Sequence, residues 1–139
     1  MSSTMTSQDA IKTFLSAGRV AVVGASQDRS KYGNKVLRAY LQNDIEAVPV
    51  NPTAKEVEGL VAYADLASVP GTISAVSIIT PPPVTEKVVQ NAIDLGIKHI
   101  WMQPGAESRR AIQLAEAAGV NVIASGPCVL VALRYRERE

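Results

Sequence analysis

The chain is poor in the residues that build redox, metal and stacking chemistry. Its one cysteine, Cys128, has no partner for an internal disulfide. With one histidine, His99, there is no set of His and Cys at metal-ligand spacing. Aromatic residues make up only 4%, so the core must come from Val, Ile, Leu and Ala, the residues of parallel sheets and their covering helices. Neither charge sign dominates: 14 basic and 13 acidic residues leave a formal charge of +1, which lacks the broad positive field of a nucleic-acid binder. Met1 to Gln8 has no apolar run behind a basic start, so neither a leader nor a membrane span is expected. These absences lead to the expectation of a soluble, cytoplasmic protein with no nucleic-acid or membrane partner.

What is present is a 47% apolar content in 139 residues, enough for one core and one domain over residues 1–139. Ser7 is placed to cap a lead-in helix carrying Ile11, Phe14 and Leu15 and ending near Gly18. Arg19 to Val23 reads as a strand, followed by a polar loop and a helix opening at Gly33 with Val36, Leu37, Tyr40 and Leu41 on one face. Ala47 to Val50 is a second strand, closed by Asn51-Pro52. An irregular stretch follows, with a helical turn around Leu66. Ala75 to Thr80 reads as a third strand, Val84 to Leu95 as a helix, His99 to Met102 as a fourth strand, Glu107 to Ala118 as a helix and Val120 to Ala124 as a fifth strand.

Five apolar strands alternating with helices imply an α/β fold with a doubly wound parallel sheet of the Rossmann type. The expected strand order is 3-2-1-4-5, with the lead-in helix added. Ligands of such sheets lie beyond the carboxyl ends of the strands, where the order reverses, here between strands one and four. The loops after each strand therefore hold the candidate site.

The first loop runs from Gly24 through Ala25, Ser26, Gln27, Asp28, Arg29, Ser30, Lys31 and Tyr32 to Gly33. Small residues after a strand and a glycine at a helix start suit an anion held by backbone N–H groups and the helix dipole. The run departs from the dinucleotide fingerprint G-x-G-x-x-G, since Ser26 stands at the second glycine. Arg29 and Lys31 either screen phosphates or are simply solvated, and Tyr32 either stacks on a base or packs on its helix. Val50, Asn51 and Pro52 stand where an NAD-binding domain places an acid for the ribose hydroxyls. The following Lys55 suits a ribose phosphate, which favours CoA or NADP over NAD. Pro81, Pro82 and Pro83 form a stiff wall for an adenine or an apolar arm, or else only a helix-initiating turn. After strand four, the Gln103 amide either bonds a ligand amide or caps locally. Cys128 reads as a structural thiol and His99 as structural, at the end of its strand away from the site. The run Arg134 to Glu139 reads as a solvated end.

Together, Val23-Gly24-Ala25-Ser26, Val50-Asn51-Pro52, Thr80-Pro81-Pro82, Gln103-Pro104-Gly105 and Gly126-Pro127-Cys128 resemble the stand-alone CoA-binding protein family. That family is similar to the CoA-binding domain of the succinyl-CoA synthetase alpha subunit. The resemblance runs from about residue 8 to 133, with each motif following a strand. It implies that Gly24, Ala25, Ser26, Gln27, Asp28 and Arg29 surround the CoA phosphates and that Lys55 matches a synthetase lysine at the nucleotide end. It further implies that Thr80, Pro81 and Pro82 line the cleft and that Met102, Gln103 and Pro104 follow the pantetheine. Two departures stand out: the synthetase's phosphorylated histidine belongs to a second domain with no counterpart here, and its Gly-Pro-Asn-Cys run is shortened to Gly126-Pro127-Cys128.

The expected function is thus non-catalytic binding of coenzyme A or acyl-CoA, with the protein partner undefined. Two alternatives are a small NADP-dependent oxidoreductase, for which Lys55 is compatible but no proton donor is evident, and a regulatory subunit whose Rossmann domain binds no nucleotide.

Overall fold

The computed structural model describes residues 7–137. The Ser7 side chain and the expectations placed on Met1 to Thr6 and on Arg138 and Glu139 lie outside the described residues. In chain order the elements are α1 (Ser7–Leu15), β1 (Val20–Val23), α2 (Tyr32–Gln42), β2 (Ala47–Val50), β3 (Glu56–Val57), β4 (Leu60–Val61), a 3-10 turn (Leu66–Ser68), β5 (Ala75–Ile78), α3 (Pro82–Asp94), β6 (His99–Met102), α4 (Arg109–Ala117), β7 (Asn121–Ile123) and α5 (Val129–Ala132).

Five parallel strands form one sheet in the order β2-β1-β5-β6-β7. All four residues of β1, β2 and β5 are buried, as expected for strands covered on both faces. Successive side chains point to opposite faces. Val20 and Val22 pack with Phe14, Val36, Leu37, Tyr40 and Val129 under α1, α2 and α5. Ala21 and Val23 pack with Val88, Val89, Ala92, Ala111 and Ala115 under α3 and α4. The α/β doubly wound, Rossmann-like class and the lead-in helix are therefore as expected.

The strand order differs from 3-2-1-4-5. Counting only the parallel strands along the chain, it is 2-1-3-4-5, because Ala75–Ile78 pairs with β1 and not with β2. The reason lies in the irregular stretch after β2. Tyr63 forms a parallel bridge with Val50, its N–H donating to the Pro49 carbonyl at 3.1 Å while Asn51 N–H donates to the Tyr63 carbonyl at 2.9 Å. The outer edge of β2 is thereby covered, and Pro49, with no N–H to offer, suits this edge position. β5 takes the free edge of β1, so the order reverses between β1 and β5, and the ligand crevice moves there from its expected place beside strand four.

Two further elements were not anticipated. β3 and β4 form a two-stranded antiparallel hairpin, too short to show a period of its own. α5 is a single turn after Cys128.

Trp101 is fully buried and meets Phe14 of the lead-in helix edge-to-face, with ring centroids 5.3 Å apart. This contact docks α1 onto β6. Truncating Phe14 to Ala is expected to cost about 3–5 kcal/mol, read by urea denaturation. The fluorescence of Trp101, the one tryptophan of the chain, should shift to the red.

Candidate functional site

The site is built on the turn between β1 and α2. Gly24 has φ +101, and a Cβ there would run into the Ile79 carbonyl. A Cβ on Gly33 would run into the Gly24 carbonyl. Only glycine fits either position, so the loop's two ends are pressed together over the carboxyl ends of β1 and β5. Gly24 N–H donates to the Val50 carbonyl at 3.1 Å, and Ile79 N–H donates to the Val23 carbonyl at 2.7 Å. α2 starts without a side-chain cap, since Lys31 is extended and makes no capping bond. Its first N–H groups are thus left for solvent or an anion.

Two joined depressions open beside this turn. A pocket of about 430 Å³ is lined mainly by apolar side chains, among them Val23, Val50, Leu66, Ile79, Val84 and Val88, with Gly24, Pro52, Thr80 and Pro81 on its wall and Asp65 and Asn91 as polar exceptions. A shallower depression of about 300 Å³ shares Ile79, Thr80 and Pro81 and continues over Pro104, Gly105 and Ala106. The result is an elongated, mostly apolar groove whose Gly24 wall is backed by Gly33 of α2.

Gly24, Pro52, Thr80, Pro81 and Pro104 therefore border the groove. Pro82 is exposed and starts α3, so its role as a helix-initiating residue is realised. Most other polar candidates hold the loop. Asn51 Nδ2 donates to the Ala25 carbonyl at 2.8 Å, while its Oδ1 accepts from Thr53 and Ala54 N–H, both at 2.8 Å. Gln27 Nε2 donates to the Glu56 carbonyl, tying the loop to the β3–β4 hairpin. Ser26 Oγ accepts from Asp28 N–H. Asp28 Oδ1 accepts from Ser30 N–H and hydroxyl, and these bonds hold its carboxyl below the usual range. Lys31 and Lys55 are exposed.

Met102, Gln103 and Tyr32 are among the candidates that line neither depression. The Met102 and Gln103 side chains are fully buried, because β6 lies in the middle of the sheet's covered faces. Gln103 Oε1 accepts from Val129 N–H at 2.9 Å and Tyr32 hydroxyl at 3.1 Å, and Nε2 donates to Ser77 Oγ at 3.2 Å. Its amide is consumed internally, so it does not serve a ligand amide. Tyr32 packs on its own helix side, its hydroxyl 2.7 Å from Cys128 Sγ. Since that hydroxyl donates to Gln103, the thiol donates to it. Burial and the Cys128 bond push the Tyr32 phenol upward, so Tyr32 stays protonated.

Reading the residues in sequence missed the groove floor from the irregular stretch, Ala64 to Leu66, and missed the helix face. Val84, Val88 and Asn91 stand at i, i+4 and i+7 of α3, a spacing that marks one face but cannot say whether a core or a cleft lies against it. It also missed the loop's internal brace. Arg38, buried on α2, donates from Nε to Asn34 Oδ1 at 2.6 Å and from Nη2 to the Arg29 carbonyl at 2.7 Å. The buried Asn34 amide then donates to the Ser26 carbonyl at 2.8 Å. The chain end is docked: Tyr135 lies under the Arg38 guanidinium at 5.4 Å, Glu137 is 3.7 Å from Arg38, and Gln42 exchanges two hydrogen bonds with the Arg136 backbone. Residues 134–137 are therefore held against α2 and are not the free solvated end expected.

The profile of a family described as the CoA binding domain matches residues 18–134. The chain belongs to that family. This CoA-binding domain is 29% identical over 105 residues to the uncharacterized protein YneT of Bacillus subtilis, covering 76% of this chain and 78% of that one. It is 27% identical over 128 residues to the alpha subunit of an ADP-forming acetate–CoA ligase of Pyrococcus furiosus, covering 84% of this chain but only 28% of the ligase subunit. Among solved structures, a conserved hypothetical protein from Pyrococcus furiosus superposes with a TM-score of 0.77 at 37% identity, covering 83% of this chain and 98% of that one. The domain thus resembles both stand-alone proteins and a module of longer ligases. Among its described residues no helix is long and apolar enough to cross a membrane, and no group of three or more His, Cys, Asp or Glu is placed to hold a metal.

Replacing Arg38 with Met should lower stability by about 1.5–3 kcal/mol, the value of a buried hydrogen bond to a charged group, measured as a drop in urea midpoint. The Arg29 carbonyl would lose its donor, so amide exchange in residues 26–31 should speed up more than in β1.

Proposed function

We propose that this domain binds coenzyme A or an acyl-CoA without transforming it. The observation that carries the reading is the elongated apolar groove bordered by Gly24, which packs against Gly33 at the uncapped start of α2. A nucleotide with a long, mostly apolar arm fits such a groove. Its base takes the larger pocket, its phosphates meet the Gly24–Ser26 backbone and the arm follows Pro81 and Pro104. Arg29, Lys31 and Lys55 supply positive charge on the loop side. Family membership supports the ligand class.

Binding without catalysis is supported by the placement of the reactive groups. His99, the one histidine, begins β6 and bonds Asn121, at the end of the sheet opposite the groove. The Cys128 thiol and Tyr32 phenol are hydrogen-bonded to each other and line neither depression. This domain matches only 28% of the Pyrococcus furiosus ligase subunit, so that protein's activity is not carried over to it. A reducing, cytoplasmic setting agrees with a free thiol.

Calorimetry with CoA, NADP and NAD tests the reading. CoA is expected to bind in preference to both dinucleotides. Val84→Trp, at a half-exposed position on the pocket wall, should fill the pocket and weaken CoA at least about tenfold, equivalent to about 1.4 kcal/mol, with little loss of stability. Lys55→Ala should weaken CoA by about twofold to fivefold, as for an exposed ion pair. Nicotinamide turnover would support the oxidoreductase reading instead, and no binding of any of the three would point to a role through the protein surface.

A further inference from the structure

The hairpin β3–β4 places a carboxylate among the donors of the loop. Glu58 Oε2 accepts from Asn34 Nδ2 at 3.1 Å and lies 3.3 Å from Arg29 Nε. Asn34 is fully buried, and Arg38 fixes its amide from behind, so this donor is preset. The Glu58 side chain is only 21% exposed, against 45% for Arg29. Glu58 also has φ +50, in a two-residue turn with Gly59, a position that favours Asn, Asp or Gly over a longer side chain. A strained backbone thus carries an internal anion to one donor on the β1–α2 loop, Arg29, and one on the first turn of α2, Asn34.

We propose that Glu58 occupies an anion position that a phosphate of the ligand takes over on binding, with Arg29 passing from the carboxylate to the phosphate. This rests on the CoA reading above and names a competitor built into that site. A diphosphate or a phosphate monoester competes with a single carboxylate for a guanidinium, since each group carries about two negative charges and more acceptor oxygens. The exchange is accessible because an ion pair of this exposure is weak and because the left-handed backbone at Glu58 already opposes the closed arrangement. The same pair favours ligands with a phosphate over uncharged adenosine derivatives: without a phosphate, Arg29 stays with Glu58.

The test is CoA titration of Glu58→Gln, Glu58→Asn, Arg29→Met and the double variant Arg29→Met/Glu58→Gln. Removing the Glu58 charge should tighten CoA about twofold to fivefold, and Arg29→Met should abolish that gain in the double variant. Glu58→Asn suits φ +50, so it should give the gain together with a higher melting temperature, which separates the effect from a folding defect. Glu56→Gln, an exposed charge in the same hairpin, should leave affinity unchanged. Dephospho-CoA locates the displacing group: a retained gain assigns it to the diphosphate, a lost gain to the ribose monophosphate, and either supports the exchange. Unchanged or weaker CoA binding by both Glu58 variants, or an equal gain from Glu56→Gln, would overturn it while leaving the CoA reading intact. Absence of CoA binding to the unmodified protein would remove the CoA reading itself.

Discussion

The carbonyl of Gly24 rests where a side chain on Gly33 would be, and the carbonyl of Ile79 rests where a side chain on Gly24 would be. Through these two backbone contacts the start of α2 is pressed against the carboxyl ends of β1 and β5. Much of the site follows from that closeness. The loop between the glycines must bulge outward, and the uncapped helix start lies directly behind Gly24, which borders the groove. A methyl group at either glycine would run into a backbone carbonyl and push the neighbouring segments apart.

Around that contact the polar groups divide into two systems. On the side of α2, Arg38, Asn34, Glu58 and Gln27 join the loop to the hairpin and the chain end. Beyond the carboxyl ends of β6 and β7, Cys128, Tyr32 and Gln103, with Ser77 of β5, form a chain of hydrogen bonds that anchors α5. Both satisfy groups that would be costly to bury unpaired. Neither system lines the apolar pocket, whose walls come from strand ends, the 3-10 turn and α3. Bracing of the loop and lining of the apolar pocket are thus assigned to different residues, and several polar side chains that looked like ligand contacts in sequence, Asn51 and Gln103 above all, belong to the first task.

The strand order shows how a short irregular segment decides topology. One bridged residue, Tyr63, covers the edge of β2, so β5 joins the sheet on the far side of β1. The reversal point then falls between β1 and β5, where Gly24 and Ile79 meet. The groove therefore draws on the loop after β5 more than on the loop after β6.

By itself the sequence determined the class of fold and marked several of the loops that border the groove. Apolar runs and helix periods are local signals, and among the described residues they marked all five parallel strands and four of the five α-helices, while Gly24, Pro52 and Pro81 marked strand ends that border the groove. Tertiary structure alone decided the strand order, the pairing of Glu58 with Arg29 and Asn34, and the inward turn of Gln103. These depend on contacts between segments 24 to 71 residues apart in the chain, and no local period records which edge a strand will join or which donor a carboxylate will meet.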